Sequence, residues 1–216
     1  MNEALVIEQF ELGPMENYIY FIGNKDTKEL VVVDPAWDVD FIRDKAERAG
    51  YNIKAALITH GHADHTNGIE KLLDTHDIPV YVSRDEAEFY KPVGNNIKDV
   101  DPGFNLSLGS VSIDFLHTPG HTPGSQCFLT HGNLVAGDTL FLDGCGRCDM
   151  PGGDAELMFD TIHHRLMKLP DSTIIYPGHN YHHKCCDKLE HQKKTNPYMQ
   201  ADNLKSFIAK RMPGLT

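Results

Sequence analysis

The chain has few cysteines: five among 216 residues, an odd number with no regular spacing. Secreted folds that depend on disulfides carry paired cysteine patterns, so such a fold is not expected and a reducing compartment fits better. Cys145 and Cys148 form a C-x-x-C, but no second such pair exists to complete a structural zinc site. We therefore expect surface or half-buried thiols without a metal.

Long apolar runs and positive charge are also scarce. No run approaches the ~20 apolar residues that span a bilayer, and the N-terminal residues show no leader pattern. Lys and Arg number 20 against 31 Asp and Glu, a net charge of -11. Nucleic acids and anionic membranes are held by clustered Lys and Arg, so neither is expected as a partner. We expect a cytoplasmic protein with a small-molecule substrate, and a homodimer is left open.

Strand and helix patterns alternate along the chain without a long linker, which indicates a single domain over residues 1–216. Predicted strands cover residues 4–10, 17–22, 30–33, 54–59, 79–82, 111–116, 126–129, 133–136 and 173–176. Predicted helices cover residues 38–49, 67–77, 84–90, 154–169, 186–195 and 202–211.

The densest cluster of chemistry-bearing residues is the run 59–65, which reads T-H-G-H-A-D-H and follows an apolar strand. In an extended segment, residues two apart point the same way, so His60 and His62 can bind one cation. Asp64 and His65 turn into the following helix and face elsewhere. Such a ligand density is costly unless a cation neutralises it, which predicts two adjacent metal positions.

Three further residues with metal-binding side chains each follow an apolar strand and lie beside a glycine: His121, Asp138 and His179. Side chains at such strand ends can be held at a sheet edge above a cleft, so all seven can converge. Imidazole and carboxylate ligands suit zinc, iron or manganese better than a thiolate-selective metal.

Four motifs occur in order along the chain: T-H-G-H-A-D-H, T-P-G-H-T-P-G-S, A-G-D-T-L-F and Y-P-G-H. Together they resemble the full metal signature of the metallo-β-lactamase fold. The string G-C-G-R at 144–147 resembles its glyoxalase II and persulfide dioxygenase branches. The resemblance covers nearly the whole chain. It implies an α/β architecture, an αββα sandwich of two mixed sheets with helices on the outer faces, in which residues 186–211 form a short helical portion covering the cleft.

The resemblance also implies the metal ligands. One metal would be bound by His60, His62 and His121, the second by Asp64, His65 and His179, and Asp138 would bridge the two. Two divalent ions, Zn²⁺ by preference with Fe or Mn as options, lower the pKa of bound water from about 15.7 to near 7. A metal-bridging hydroxide would then be the nucleophile, with Asp64 and Asp138 as the catalytic carboxylates.

The leaving group narrows the predicted reaction. A thiol has a pKa near 8.5, so a thiolate departs without a general acid, whereas an amide nitrogen does not. The sequence shows no extra acid near the motifs, which favours a thioesterase that cleaves a hydroxyacylglutathione or another acyl-thiol.

Two residues are predicted to contact the substrate. Arg147 stands where glyoxalase II has a lysine that contacts glutathione, and Tyr181 matches a glutathione-contacting tyrosine of that family. A guanidinium can hold a carboxylate with paired hydrogen bonds. The alternative for Arg147 is a structural ion pair with Asp149 or Asp143. The long basic helical extension of glyoxalase II is absent, which leaves both glutathione and another thiol as carriers.

A mononuclear iron persulfide dioxygenase acting on glutathione persulfide is the main alternative. In that branch, the equivalents of His60, His121 and Asp138 hold a single iron, and the other four residues surround it. Both branches keep all seven residues, so the ligand set does not separate them. A non-catalytic zinc module is disfavoured, because closed structural sites are usually rich in cysteine.

Overall fold

The computed structural model of the chain describes residues 3–89 and 96–213. Its first half builds one six-stranded sheet, in the spatial order β1-β2-β3-β4-β5-β6. These strands are β1 Leu5–Leu12, β2 Asn17–Asn24, β3 Glu29–Val33, β4 Asn52–Leu57, β5 Val80–Ser83 and β6 Ile97–Val100. The first three pair antiparallel, and β3 to β6 pair parallel, so the sheet is mixed. Its helices are α1 Val39–Arg48, α2 Ala63–Thr66, α3 Ile69–Leu73 and α4 Arg84–Phe89.

The second half builds another mixed six-stranded sheet, in the order β14-β13-β10-β9-β8-β7. Its strands are β7 Asn105–Leu108, β8 Val111–His117, β9 Gln126–Thr130, β10 Asn133–Gly137, β13 Ile174–Pro177 and β14 Asp187–Lys188. A short two-stranded ribbon, β11 Leu140–Phe141 and β12 Gly144–Cys145, follows β10. The helices are α5 Ala155–Asp160, α6 Leu189–Thr195 and α7 Leu204–Arg211.

Three apolar clusters show how these elements are layered. Tyr20 of β2 and Phe115 of β8 belong to one cluster, which therefore lies between the two sheets. Phe21, the next residue of β2, points the opposite way, into a cluster with Ile42 of α1. Phe207 of α7 belongs to a third cluster on the outer face of the second sheet. The predicted αββα sandwich of two mixed sheets is thus confirmed.

The structure corrects several local predictions. The helix predicted over 154–169 is α5 followed by a π-helical turn, Thr161–Arg165, and a 3-10 turn, Leu166–Lys168. The helix predicted from residue 186 begins at Leu189, after β14. Strands β6, β7, β11, β12 and β14 were not predicted. Residue 90, the end of the helix predicted over 84–90, lies outside the described residues.

The cysteines also depart from expectation. Cys127, Cys145 and Cys148 are buried in the apolar core, where a small thiol packs like a hydrophobic residue. Only Cys185 and Cys186 are at least partly accessible. Within 3–89 and 96–213, no helix combines the length and the hydropathy that crossing a membrane requires.

A candidate metal centre at the strand ends

The predicted ligands lie just past the ends of strands in both sheets. His60 follows β4 and His121 follows β8, while Asp138 and His179 come one or two residues after β10 and β13. Gly178 leaves the necessary space, since a Cβ there would lie 2.3 Å from Asp138 Oδ1. All seven predicted ligands are brought together at one edge of the sandwich.

Three of them, His60, His62 and His121, form the first triad. His62 Nδ1 lies 3.0 Å from His60 Nε2 and 3.0 Å from His121 Nε2. A neutral imidazole carries one N–H and one nitrogen lone pair. Three ring nitrogens that lie this close together around a common point cannot all carry a proton, so lone pairs are directed at that point. A metal ion is the partner that such an arrangement fits.

Asp64, His65 and His179 form the second triad, whose ligand atoms all lie within 4.8 Å of one another. His65 Nε2 lies 3.2 Å from His179 Nε2 and 3.4 Å from Asp64 Oδ2. Asn17 Nδ2 donates to Asp64 Oδ2 over 2.9 Å and so orients this carboxylate. The second triad therefore offers two imidazoles and one carboxylate.

Asp138 lies between the triads. Its Oδ2 is 3.7 Å from His121 Nε2 of the first triad and 3.3 Å from His179 Nε2 of the second, and its Oδ1 is 3.3 Å from His65 Nε2. Oδ1 is buried, and no hydrogen-bond donor meets it among the described residues. A buried carboxylate oxygen without a donor is costly unless a cation contacts it. The position of Asp138 fits a ligand shared by two metals.

Hydrogen bonds on the far ring nitrogens fix which nitrogen faces the centre. His121 Nδ1 donates to the carbonyl of Arg147 over 2.7 Å, and His179 Nδ1 donates to the carbonyl of Met15 over 2.8 Å. Because a carbonyl only accepts, the proton is on Nδ1 and the Nε2 lone pair points inward. His65 Nδ1 donates in the same way to Asp34 Oδ2 over 2.9 Å.

Asp34 controls His60 as well, through Thr59. The Thr59 hydroxyl donates to Asp34 Oδ2 over 2.6 Å, so its oxygen accepts from His60 Nδ1 over 3.0 Å. A further bond from the Thr59 backbone N–H to Asp34 Oδ1, 2.7 Å long, holds the carboxylate in place. One buried side chain therefore sets the tautomer of a ligand in each triad.

The electrostatics match this ligand arrangement. Burial lowers the pKa of His60, His62 and His121, and that of His60 falls well below its usual value, so these rings are neutral. Burial acts against protonation of His65 too, but the charges of Asp138 and Asp34 raise the pKa of His65 well above its usual value. The second triad therefore attracts positive charge.

The residues fit divalent metal ions of borderline or hard character. The donor atoms of both triads are ring nitrogens and carboxylate oxygens, and the described metal-binding groups contain no cysteine. These features support the prediction of divalent metals.

Sequence reasoning missed two residues that organise the centre. Asp34 was not singled out, although a carboxylate one residue past β3, the parallel neighbour of β4, is a signal for contact with the residues that follow β4, among them Thr59. Glu86, in α4, was not singled out at all. It accepts hydrogen bonds from the loops that carry the first triad.

A cavity of about 390 Å³ opens above the ligands. Its other lining residues are mainly apolar: Met15, Ala63, Phe141, Arg147, Met150 and Tyr181. The Tyr181 ring stacks on His179, with centroids 4.7 Å apart and planes at 10°. Arg147 is paired with Asp149 by two hydrogen bonds of 3.0 and 2.9 Å, so the structure places it both in the cavity and in the alternative ion pair. Substrate contact by either residue stays a prediction.

The segment 186–211 supports the cavity wall from outside. Asn196 Nδ2 donates to the carbonyls of Phe141 and Gly144, at the ribbon formed by β11 and β12. No residue of this segment is among the described lining residues of the cavity. Its predicted role as a cover for the cleft, and the single-domain organisation over 1–216, stay predictions.

Fold and site together define the class of metal-dependent hydrolases built on an αββα sandwich. The family model of the metallo-beta-lactamase superfamily matches residues 12–179, and the chain belongs to that superfamily. It is 35% identical to the probable polyketide biosynthesis zinc-dependent hydrolase BaeB of Bacillus velezensis, over 89% of this chain and 85% of that protein.

Two further similarities represent other branches. The chain is 35% identical to the hydroxyacylglutathione hydrolase of Alkalilimnicola ehrlichii, over 84% of this chain and 66% of that protein. The crystal structure of ETHE1 from Myxococcus xanthus has a TM-score of 0.87 at 27% identity, covering 96% of this chain and 91% of that one. A metal-dependent hydrolase of this superfamily is therefore confirmed as the class.

Proposed function

We propose that the chain hydrolyses a thioester, with a small-molecule acyl-thiol as substrate and two divalent metal ions, zinc by preference, as cofactors. The observation that carries the proposal is the pair of ligand triads joined by Asp138, because members of both triads line one cavity: His62, Asp64, His121 and His179, together with Asp138 itself. When bound, the ions supply a water nucleophile at neutral pH and an electrophile for the carbonyl oxygen.

Within this proposal, each part of the chain has a separate task. His60, His62 and His121 would hold one ion, the second triad the other, and Asp138 would contact both. Asp34 keeps the proton of His65 on Nδ1, facing away from the ions. Asn17 keeps an oxygen of Asp64 oriented through a 2.9 Å hydrogen bond. The catalytic assignments of Asp64 and Asp138 rest on this arrangement.

The cavity favours a leaving group that needs no proton. Apart from the ligands, its described lining contains one side chain with an O–H, Tyr181. Burial raises the pKa of Tyr181 to about 12 in the metal-free chain, and beyond the ligands the described lining adds no carboxyl or imidazole group that could serve as a general acid. A thiolate leaves without such an acid, whereas an amine does not. This contrast supports a thioester over an amide or a β-lactam.

The choice of substrate is less constrained than the reaction. Met15, Phe141 and Met150 give the cavity an apolar wall that suits an acyl chain. Arg147 would meet a carboxylate of the thiol carrier only if it were released from Asp149. The names of the similar proteins, a polyketide biosynthesis hydrolase and a hydroxyacylglutathione hydrolase, support hydrolysis and leave the carrier open.

One experiment separates this proposal from its rival. The purified chain is analysed for metal and assayed on matched thioester, ester and amide substrates with the same acyl group, and on glutathione persulfide with an oxygen electrode. We expect close to two zinc ions per chain and thiol release from the thioester. One iron per chain with oxygen consumption would refute the hydrolase and favour a persulfide dioxygenase.

A further inference from the structure

Glu86 is a fully buried carboxylate that belongs to neither metal triad. It lies in α4, at 0% exposure, in a part of the protein that supplies no metal ligand. A carboxylate is almost never buried completely unless its oxygens are satisfied by specific partners. Its partners therefore indicate what it does.

Three donors satisfy the two oxygens of Glu86. The backbone N–H of Gly61 donates to Oε1 over 2.6 Å. The hydroxyl of Thr122 and the backbone N–H of Gly124 donate to Oε2 over 2.6 and 3.0 Å. The Thr122 hydroxyl also lies 2.7 Å from Ser125 Oγ, whose own hydrogen it can accept. Since all three groups can donate to Glu86, the carboxylate is satisfied in its ionised form.

These donors lie next to all three ligands of the first triad. Gly61 is the residue between His60 and His62, and Thr122 directly follows His121. The two loops belong to different sheets, because one follows β4 and the other follows β8. Glu86 is thus a single side chain that ties together the two segments on which the first triad is built.

The surrounding structure is built for this contact. Gly124 approaches α4 so closely that a Cβ on it would lie 2.0 Å from the backbone nitrogen of Glu86. No cationic side chain among the described residues pairs with this carboxylate. The first triad consists of neutral imidazoles, whereas the second has its own carboxylate in Asp64. A buried negative charge beside the first triad would offset the charge of a bound cation.

We propose that Glu86 is a positioning residue for the first metal site, which fixes the loops carrying His60, His62 and His121 and supplies the negative charge that this triad lacks. The inference rests on the two-metal site of the proposed function and is independent of which bond the enzyme cleaves. It predicts that loss of the carboxylate weakens one metal site and spares the other.

The test is a Zn²⁺ titration of the full chain, stripped of metal, against a chelator that reports both dissociation constants. Reference variants His62→Ala and His179→Ala assign each constant to its triad. Glu86→Gln keeps the shape of the side chain. Its NH₂ group would face the backbone N–H of Gly61 in one orientation and that of Gly124 in the other, so one backbone donor always loses its acceptor. We expect the Kd of the first site to rise about 10- to 100-fold, with the second within about threefold of the unsubstituted chain.

The matched control is Glu70→Gln, the same chemical change at an exposed position of α3, which should leave both constants unchanged. If Glu86→Gln does not fold, Thr122→Val carries the test, because it removes one of the three donors and keeps the side-chain volume. We expect that variant to raise the first Kd by about 3- to 10-fold.

Unchanged zinc dissociation constants in Glu86→Gln, or an equal rise at both sites, would overturn the inference. Where Thr122→Val carries the test, an unchanged Kd of the first site would overturn it. Titration of the unsubstituted chain tests the two-metal site itself. If that chain binds fewer than two zinc ions, the proposed function fails. If it binds two and the Glu86 variant does the same with equal affinity, only the role of Glu86 fails.

Discussion

Replacing Asp34 by Asn should disturb both metal sites with little change in shape. Asp34 has a φ of 51°, in the left-handed region that Asp and Asn tolerate better than most residues, so the substitution adds little backbone strain. Its two oxygens accept from the Thr59 backbone N–H, the Thr59 hydroxyl and His65 Nδ1. An amide in the same place has only one acceptor oxygen.

The orientation of that amide follows from the one donor that cannot reverse. The backbone N–H of Thr59 requires the amide oxygen opposite it, which leaves the NH₂ group where Oδ2 was. The NH₂ group then donates to His65 Nδ1 and to the Thr59 hydroxyl oxygen. The freed hydroxyl hydrogen can donate to His60 Nδ1. In both rings the proton would move to Nε2, the nitrogen that faces the metals.

The expected loss of metal affinity follows from the two tautomer changes, one in His60 and one in His65. Loss of one outer hydrogen-bond partner of a metal-bound histidine typically costs about 10- to 100-fold in metal affinity. Two affected histidines, one in each triad, give about 10²- to 10⁴-fold over the two sites together. At about 1.4 kcal/mol per factor of ten, this equals about 3–6 kcal/mol of metal-binding free energy.

Two measurements check the reasoning. Zinc titration against a chelator should show a rise in both dissociation constants. Burial keeps the pKa of His60 low, so its neutral ring in the metal-free chain allows ¹⁵N NMR to show which nitrogen carries the proton. Asp44→Asn, at an exposed position of α1, is the isosteric control. Wild-type zinc affinity at both sites, or a His60 proton that stays on Nδ1, would refute the argument.

Three other variants test separate parts of the site. Asp138→Ala should abolish hydrolysis and lower the zinc content below two per chain in metal analysis, because both triads lose a shared carboxylate; retained activity would contradict the bridging assignment. Asp149→Asn should free Arg147 and lower the KM for a carboxylate-bearing thioester by about 2- to 5-fold without changing kcat, and an unchanged KM would remove this pair from substrate recognition. Gly124→Ala places a Cβ 2.0 Å from the backbone nitrogen of Glu86 and should lower the free energy of unfolding by more than about 2 kcal/mol in urea titrations. The control Gly144→Ala, whose Cβ would make only ordinary contacts, should lower it by less. Equal losses in the two variants would argue against the close approach.

The metal ligands could be predicted from sequence because their signals are local. His60, His62, Asp64 and His65 lie within six positions, and the other ligands each follow an apolar strand. The partners of those ligands could not be found in this way. Glu86 meets residues 25 to 38 positions away, and these contacts depend on how the strands are ordered in space. The spacing of apolar residues and the composition of the chain carry no information on the spatial order of the strands.

The missed strands have a different physical cause. β7, with the sequence NLSL, is short, and β6, with the sequence IKDV, has one apolar residue at each end. Each lies at the outer edge of its sheet, where one side of the strand has no strand partner. Edge strands are often short, and four residues, even where they alternate as in β7, do not distinguish a strand from a loop as the seven residues of β8 do.

The tautomers bear on the choice between two metals and one. In a one-iron enzyme, the inward nitrogens of His65 and His179 would need other partners, and Asn17 Nδ2, 3.3 Å from His65 Nε2, is one of them. Here both rings direct their N–H outward, to Asp34 and to the carbonyl of Met15, while their Nε2 atoms face each other at 3.2 Å. Two lone pairs at that distance repel unless a cation lies between them or a ring gains a proton. The charges of Asp138 and Asp34 raise the pKa of His65 well above its usual value, so a proton satisfies this pair in the metal-free chain and a cation would satisfy it in the proposed two-metal site. The zinc content per chain therefore decides between two metals and one, and the zinc titration of the unsubstituted chain measures it.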